Sequence, residues 1–229
     1  MNAEPLSPGL VILGAGFHAK VVIETIRLAG LGPVLAVLDD SPAKHGTDVH
    51  GVPVRGALAL LPEWHARGLV RGVALGMGNI RLRDKAAALM RWAAGLGVEA
   101  PPIVHPAAFI APSVARPRGL FAGPGVVVNT DSQLGANITI YSGTSLDHDN
   151  VIGDDVFISP GVHSAGKVRI GAGAYIGPGA ILGSAVRIGA GAIVGAGAVV
   201  LKDVPERRLV VGAPARVART VDEWEKAHP

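Results

Sequence analysis

A six-residue repeat runs through the second half of the chain without an insertion. Every sixth residue from Val104 to Val200 is apolar, except for Arg116 and Ser164. A second small or aliphatic residue usually follows four positions later, and Gly stands directly after eight of the sixfold positions, at 123, 135, 153, 171, 177, 183, 189 and 195. A repeat this strict is the sequence signature of a solenoid, in which each unit packs on its neighbours.

The spacing predicts a prism of parallel strands. Two inward positions in every six residues suit a short strand and a tight corner, where we expect the repeated Gly to provide a positive φ. Three repeats then close a triangular coil of eighteen residues, and roughly five coils fit, about 4.8 Å apart. Residues eighteen apart in sequence should therefore stack along one face.

The front of the chain follows a different pattern. An apolar strand at residues 10–13 leads into the glycine turn GAGFHAK (14–20) and a helical pattern that continues to about residue 29. Further strands are expected at 34–38, 52–54, 69–75 and 98–103, with helices near 57–67 and 80–94, an alternation typical of a small parallel α/β sheet. Pro101 and Pro102 mark the boundary, giving predicted domains 1–103 and 104–229.

The glycine turn indicates a nucleotide-type ligand. It follows a strand and opens a helix, and Asp39 and Asp40 come a little over twenty residues later, where an acid can meet a ribose hydroxyl. A domain of about 100 residues favours a mononucleotide or nucleotide sugar over NAD, which needs a second half-domain. His18 and Lys20 could donate to phosphate oxygens. The alternative for the glycine turn is a tight turn that binds no ligand. The alternative for His18 and Lys20 is that they belong to a solvent-facing start of the helix.

Composition narrows the partners. Net charge is +3 without a Lys/Arg run, so we expect no nucleic-acid partner. No apolar stretch reaches the ~20 residues of a membrane span, and residues 1–9 lack the basic start of a signal peptide, which together predict a cytoplasmic protein. The absence of Cys excludes thiol nucleophiles and Cys metal sites.

The solenoid departs from its own rule around His148. Asn150 and Ser164 occupy positions that are apolar elsewhere, and the eighteen-residue register places Gly166 one coil from His148. This pair suits acyl transfer, because a neutral imidazole can take a proton from an attacking amine or hydroxyl while a peptide N–H stabilises the oxyanion. Asp149 is a candidate to orient the ring, and Asp147 and Asp131 compete for that role. For His163 we favour a structural role.

Four segments carry a resemblance to a known family. The sequence LDHDNVIGDDVFISPGVHSAGKVRIG (146–171), with GAGFHAK (14–20) in front and KDVP (202–205) and VGAPAR (211–216) behind, resembles the NeuD/PglD-like sugar acyltransferases. The resemblance implies an N-terminal Rossmann-like α/β domain followed by an all-β left-handed parallel β-helix of hexapeptide repeats. It also implies acetyl-CoA as cosubstrate and a homotrimer with its active site between neighbouring subunits. Residues 221–228 add an expected short C-terminal helix that caps the solenoid.

The resemblance also implies roles for individual residues. His148 would be the general base, Asp149 the acid beside it and Gly166 the amide that faces the thioester carbonyl. The residues expected to bind the nucleotide sugar are Gly16, His18, Asp39, Asp40, Gly76 and Asn79. Those expected to bind coenzyme A are Phe157, Gly166, Pro178, Ala196, Lys202 and Arg216. Two features depart from some relatives: the acid after the histidine is Asp rather than Glu, and Phe157 replaces a polar ring.

The sequence therefore predicts an acetyl-CoA-dependent N-acetyltransferase that acts on a nucleotide-linked amino sugar, such as a 4-amino-deoxyhexose for surface glycan synthesis. An O-acetyltransferase of a sugar of the sialic-acid type is the first alternative, since the same base and amide serve a hydroxyl. A catalytically silent nucleotide-sugar-binding protein is the second. A zinc enzyme of the γ-carbonic-anhydrase kind needs three convergent ligands, and the repeats offer chiefly His148 and His163, so no metal is expected.

Overall fold

The computed structural model describes residues 7–228. Within them the chain forms two compact units that divide between Ile103 and Val104. Residues 1–6, which begin the first predicted domain, and residue 229, which ends the second, lie outside the described residues. The prediction that residues 1–9 do not form a signal peptide therefore falls mostly outside them too. Within residues 7–228 no helix has the length and hydropathy of a membrane span.

The first unit is an α/β sheet. Its elements are β1 (Gly9–Leu13), α1 (Phe17–Leu28), β2 (Val34–Leu38), β3 (Asp48–Val49), β4 (Val52–Gly56), α2 (Leu61–Ala66), β5 (Val70–Leu75) and α3 (Arg83–Gly95). Short 3₁₀ turns precede α2 and α3. The strands lie in the order β3-β4-β2-β1-β5, with β1, β2, β4 and β5 parallel and the short edge strand β3 antiparallel to β4. The interior strand β1 is buried along its whole length.

The predicted strand at 98–103 is wrong. Residues 98–102 have no strand structure; the carbonyl of Glu99 accepts one hydrogen bond, from the Val73 N–H at 2.8 Å, beside the edge of β5. Pro101 and Pro102 have no N–H to donate, so pairing cannot continue. The edge strand β3 was not predicted from the sequence, because a two-residue strand has too little alternation to stand out.

The second unit is a parallel β-helix. Sixteen two-residue strands follow one another along it. They are β6 (Ile103–Val104), β7 (Phe109–Ile110), β8 (Phe121–Ala122), β9 (Val127–Val128), β10 (Gln133–Leu134), β11 (Thr139–Ile140), β12 (Ser145–Leu146), β13 (Val151–Ile152), β14 (Phe157–Ile158), β15 (His163–Ser164), β16 (Arg169–Ile170), β17 (Tyr175–Ile176), β18 (Ile181–Leu182), β19 (Arg187–Ile188), β20 (Ile193–Val194) and β21 (Val199–Val200). The hairpin β22 (Arg208–Val211) and β23 (Arg216–Thr220) and the helix α4 (Val221–Ala227) complete the unit.

The eighteen-residue register is confirmed. The strands fall into three sheets, which we call face 1 (β6, β8, β11, β14, β17, β20, β22 and β23), face 2 (β7, β9, β12, β15, β18 and β21) and face 3 (β10, β13, β16 and β19). Paired residues from β7 to β21 differ by eighteen, as in Leu146 with Ser164 and Ile152 with Ile170. The second residue of most strands points into a buried apolar core, which is why every sixth residue is apolar.

The expected role of the repeated Gly is corrected by the structure. Positive φ does not occur at Gly123, Gly135 or the six equivalent glycines, but two residues later, as at Gly125 (69°) and Asn137 (56°). A Cβ on any of the eight would instead lie within 3.2 Å of an atom of the next coil, for example 2.5 Å from the Ala190 N–H nitrogen at Gly171. These glycines are therefore needed for close approach between coils.

The predicted C-terminal helix is confirmed as α4. Thr220 and Glu223 form a capping box at its start, in which each side chain accepts a hydrogen bond from the backbone N–H of the other residue. Arg207 pairs with Asp222 in the first turn, and the N–H of Val221 donates to the Arg207 carbonyl. The helix is thus attached to the last turn of the β-helix.

Candidate active site

The polar residues predicted from the sequence stack along one edge of the β-helix. The corners between face 2 and face 3 consist of residues 130–131, 148–149, 166–167 and 184–185, and we call this line the 2–3 edge. Its second positions adopt left-handed backbone even where the residue is not Gly, with φ of 57° at Asp131, 59° at Asp149 and 64° at Lys167. Asp tolerates this conformation better than most residues, which suits it to the corner.

His148 projects from this edge and contacts the acid that follows it. Its Nδ1 lies 2.7 Å from Oδ2 of Asp149, and both side chains are about half exposed (48%). A carboxylate can only accept, so Nδ1 carries the proton and Nε2 keeps a free lone pair. The ring is thereby prepared to act as a base through Nε2.

Gly166 lies directly under the His148 ring. A Cβ at Gly166 would stand 2.6 Å from Cε1 and 2.7 Å from Nε2, so no other residue fits without moving the ring. The Gly166 N–H has no hydrogen-bond acceptor within residues 7–228. A base and an available amide donor are therefore adjacent, as the register predicts.

The structure distinguishes the three acids considered for His148. Asp149 contacts the ring, whereas Oδ1 of Asp147 accepts from the backbone N–H of His148 at 2.8 Å and from Asn129 at 3.2 Å. The N–H of Asp131, one coil earlier, donates to Ser113. Asp147 thus holds the corner and Asp149 holds the imidazole.

His163 has a different environment, on the outer side of face 2. Its Nδ1 lies 2.7 Å from Oγ of Ser145 in the neighbouring coil. Within residues 7–228 no three His, Asp or Glu side chains converge as a metal site would require.

The residues expected to bind coenzyme A do not share one edge. Lys202 lies in the last corner of the 2–3 edge. The coil that ends there is two residues shorter than the others, because Ile188 pairs with Val204, which is 16 residues later (204 − 188). Pro178 and Ala196 lie on the opposite edge of face 2, between faces 1 and 2. Phe157 lies on face 1 between Tyr141 and Tyr175, with 5.3 Å between its ring centroid and each of theirs, and it stacks on Tyr175 while its ring is tilted by 44° against Tyr141. Arg216 begins β23.

In the first unit, Asp39 is bonded to the glycine turn. Its Oδ2 accepts from the Ala15 N–H at 2.7 Å and from Nζ of Lys44 at 2.8 Å, and its Oδ1 accepts from the Ser41 N–H at 2.9 Å. Burial raises the pKa of this carboxyl, but the hydrogen bonds from Lys44, Ala15 and Ser41 outweigh that effect and hold the pKa below its usual value. Asp39 is therefore an anion that shapes the turn.

Of the other residues predicted to bind the nucleotide sugar, Gly16 and Gly76 lie at the same turn. A Cβ on Gly16 would lie 2.7 Å from the Gly76 carbonyl oxygen, and one on Gly76 would lie 1.9 Å from that of Gly14, so both glycines permit contact between two loops. Asn79 is exposed and caps the next 3₁₀ turn by accepting from the Arg81 N–H. Asp40 already accepts one hydrogen bond within the protein, from the Leu58 N–H to its Oδ1 at 3.1 Å.

The structure places His18 on the buried side of α1. Its side chain is buried in α1, and burial lowers its pKa to about 4. The ring is neutral near pH 7 and offers no positive charge to a phosphate. Phe17, which sequence reasoning did not select, is instead 91% exposed beside the glycine turn, with Nζ of Lys20 6.0 Å from its ring centre.

Comparisons with known proteins agree with this geometry. Residues 9–89 match the family model of the PglD N-terminal domain, and residues 151–184 and 167–202 match the model of six bacterial transferase hexapeptide repeats. A search of curated protein sequences finds no match.

Several solved structures are similar over almost the whole chain. PerB from Caulobacter crescentus, in complex with CoA and GDP-perosamine, is 39% identical over 92% of this chain and 97% of its own, with a TM-score of 0.84. The acetyltransferase domain of PglB from Neisseria gonorrhoeae, in complex with acetyl coenzyme A, is 33% identical over 92% and 99%, with a TM-score of 0.83. WeeI from Acinetobacter baumannii is 29% identical over 91% and 98%, with a TM-score of 0.81.

Proposed function

Since the chain belongs to the PglD/NeuD-type sugar acetyltransferases of the hexapeptide-repeat class, we propose that it transfers the acetyl group of acetyl-CoA to the amino group of a nucleotide-linked amino sugar. The acceptor we favour is a 4-amino-deoxyhexose used in surface glycan synthesis. One observation carries the proposal: the imidazole of His148 lies over the N–H-bearing Gly166 with its Nδ1 held by Asp149.

The geometry supports a direct transfer. The amine nitrogen attacks the thioester carbonyl carbon while Nε2 of His148 takes a proton from it, and the carbonyl oxygen gains negative charge. The Gly166 N–H, which has no competing acceptor within residues 7–228, donates to that oxygen. When the tetrahedral intermediate collapses, the C–S bond breaks, and the imidazolium returns the proton to the coenzyme A sulfur. Asp149 stabilises the imidazolium between these steps.

The first unit supports the choice of a nucleotide-linked acceptor. The helix α1 starts after the glycine turn with no side-chain cap and no acidic residue in its first turn, so the positive end of its dipole can attract phosphate oxygens. Lys20 and Lys44 add positive charge near the turn, and Phe17 offers an exposed aromatic face to a base. The similar PerB, which was crystallised with GDP-perosamine, makes that compound the first acceptor to test.

We also propose a homotrimer in which neighbouring subunits complete the cosubstrate site. On face 2 the outward side chains of Phe109 (53% exposed) and Ile181 (46% exposed) are apolar and exposed, one on each side of the polar pair Ser145 and His163. Pro178 and Ala196 lie on the other edge of that face from His148, so one coenzyme A could contact both sets where two subunits meet. A cytoplasmic location stays a prediction.

The reaction is tested by incubating the purified full chain with acetyl-CoA and four acceptors: GDP-perosamine, a UDP-linked 4-amino sugar, a dTDP-linked 4-amino sugar and free sialic acid. We expect release of coenzyme A with one of the amino sugars and a mass increase of one acetyl group. Acetylation of sialic acid alone would support the O-acetyltransferase alternative. Absence of turnover with all acceptors would support a non-catalytic binding protein.

A variant locates the active centre. His148→Ala should lower kcat by about 10²- to 10⁴-fold, because proton transfer loses its base. His228→Ala, at an exposed histidine stacked on Trp224 beyond the β-helix, is the matched control and should keep wild-type kcat. Unchanged turnover in His148→Ala would move the active site elsewhere.

The trimer is tested separately. Ile181→Asp replaces an exposed apolar side chain of face 2 with a charge and should shift the sedimentation coefficient to that of a monomer, whereas Arg187→Asp on face 3 should leave the oligomer intact. A wild-type chain that sediments as a monomer at micromolar concentration would reject this part of the proposal.

A further inference from the structure

An amide inside the β-helix connects the two corners that carry the proposed base and oxyanion donor. Asn150 is fully buried at a position that is Val in the next two coils, at 168 and 186. A buried amide is tolerated only when its polar atoms are hydrogen-bonded. Its partners therefore show what it stabilises.

The Asn150 amide bonds to both sides of the site. Its Nδ2 donates to the Asp147 carbonyl at 2.7 Å, directly before His148, and to Oγ of Ser164 at 2.8 Å. Its Oδ1 accepts from the Val168 N–H at 2.7 Å, two residues after Gly166. The side chain thus spans the coil that carries His148 and the coil that carries Gly166.

Besides Ser164, the buried hydroxyl of Ser132 also bonds to the corner that carries His148. Oγ of Ser132 donates to the Asp147 carbonyl at 3.1 Å and accepts from the Asn150 N–H at 3.2 Å. A connected and satisfied network of this kind fixes one arrangement of the groups that it joins. The corner before His148 is therefore held from the interior of the prism, while its outer side stays open.

The fold itself does not need this amide. One coil later Val168 stands at the position of Asn150, and the N–H of Val186, the equivalent of the Val168 N–H, has no acceptor within residues 7–228, so the β-helix forms with the equivalent bond missing. Asn150 thus replaces the residue that the repeat rule would supply, at the coil where His148 must be aligned.

We propose that Asn150 is a positioning residue that sets the register of His148 against the Gly166 N–H. The inference rests on the proposed acetyl transfer and adds to it a residue that does not touch either substrate. Small displacements of reacting groups lower rates strongly, so its effect should appear in kcat.

The test compares two substitutions inside the same prism. Asn150→Val restores the residue type found at 168 and 186, and Thr144→Val is the matched control. Thr144 is also fully buried and also donates an interior hydrogen bond, from Oγ1 to the Ser159 carbonyl at 3.0 Å, but its corner does not carry His148. Asn150→Val should lower kcat up to about 100-fold with little change in the KM of either substrate, while Thr144→Val keeps wild-type kcat.

A structural readout separates this inference from the proposed reaction. In crystals of Asn150→Val the His148 ring should leave its place above Gly166, a displacement that can be measured whether or not any acceptor turns over. If Asn150→Val does not fold, Ser164→Ala, which removes one Nδ2 contact, should still lower kcat by a smaller factor. Wild-type kcat in the folded variant, an undisplaced ring, or an equal loss in Thr144→Val would each overturn the inference.

Discussion

The backbone N–H of Lys167 donates a hydrogen bond to the His148 carbonyl oxygen at 3.0 Å, so the two corners of the proposed site are joined directly. The two corners lie so close together that the His148 ring occupies the space that a Cβ of Gly166 would fill. The position of the base is therefore coupled to the absence of a side chain at 166.

Gly166→Ala should inactivate the enzyme without unfolding it. The added methyl would stand 2.6 Å from Cε1 of His148, and because that ring is half exposed, it can swing outward instead of breaking the coil. The base then moves away from the amide, and kcat should fall about 100-fold or more. Steady-state kinetics measure the loss of kcat, and circular dichroism shows whether the variant stays folded. Gly95→Ala, where the Cβ meets open space, is the control and should retain full activity.

Asp149→Asn should give a smaller loss. Asn fits the left-handed backbone at φ 59°, so the corner keeps its shape, but the charged acceptor for Nδ1 is removed. A hydrogen bond to a charged group is worth about 1.5–3 kcal/mol, which corresponds to a fall in kcat of about 10- to 100-fold. The matched variant Asp147→Asn changes the neighbouring acid, which contacts the backbone N–H instead of the ring, and should cost less. Equal losses in the two variants would contradict the assignment of Asp149.

The contacts between coils could be predicted from the sequence because one period fixes both the strand length and the interior. Once every sixth residue is apolar, residues eighteen apart must stack, and the adjacency of His148 and Gly166 follows by arithmetic. The polar interior residues Asn150 and Ser164 also marked the site, since they break the pattern. Which of their neighbours they bond to depends on side-chain rotamers that a period does not specify.

Other features depended on tertiary contacts that the pattern leaves open. The repeated glycines were expected at positive φ, but that conformation occurs two residues later, as at Asn137 and Asp155, and the glycines themselves stand where two coils approach closely. His18, which we expect to contact the nucleotide sugar, lies on the buried face of α1 with Val22 and Ile26, four and eight residues later, and this helical spacing could have revealed its burial. Phe17 lies off that face and is exposed for the same reason.

Phe17→Ala should weaken binding of the nucleotide sugar and leave chemistry unchanged. If the exposed ring stacks on the base, its removal costs about 1–3 kcal/mol, which raises the KM of the nucleotide sugar at least fivefold while kcat and the KM of acetyl-CoA stay near wild type. Leu28→Ala removes another exposed apolar side chain, at the far end of the same helix, and should have no effect. An unchanged KM in Phe17→Ala would exclude the stacking role.

His18 should make the first unit sensitive to acid. Burial lowers its pKa to about 4, whereas in the unfolded chain it titrates near 6.5, so between these values the unfolded state binds more protons and stability rises with pH. The group's contribution is fully present above about pH 6.5 and is lost as pH falls toward 4; at pH 5 the loss is about 2 kcal/mol. Urea unfolding at pH 8, 6 and 5 measures it.

The variant His18→Gln isolates this effect from that of all other titrating groups. Glutamine is neutral throughout, so any cost of imperfect packing lowers the free energy of unfolding by the same amount at each pH, and the variant's curve should fall less steeply than that of the wild type. His228→Gln, which changes an exposed histidine, should follow the wild-type slope. Parallel curves for wild type and His18→Gln would mean that the pKa of His18 is not lowered in the folded protein, and the ring would then carry a positive charge below about pH 6.5.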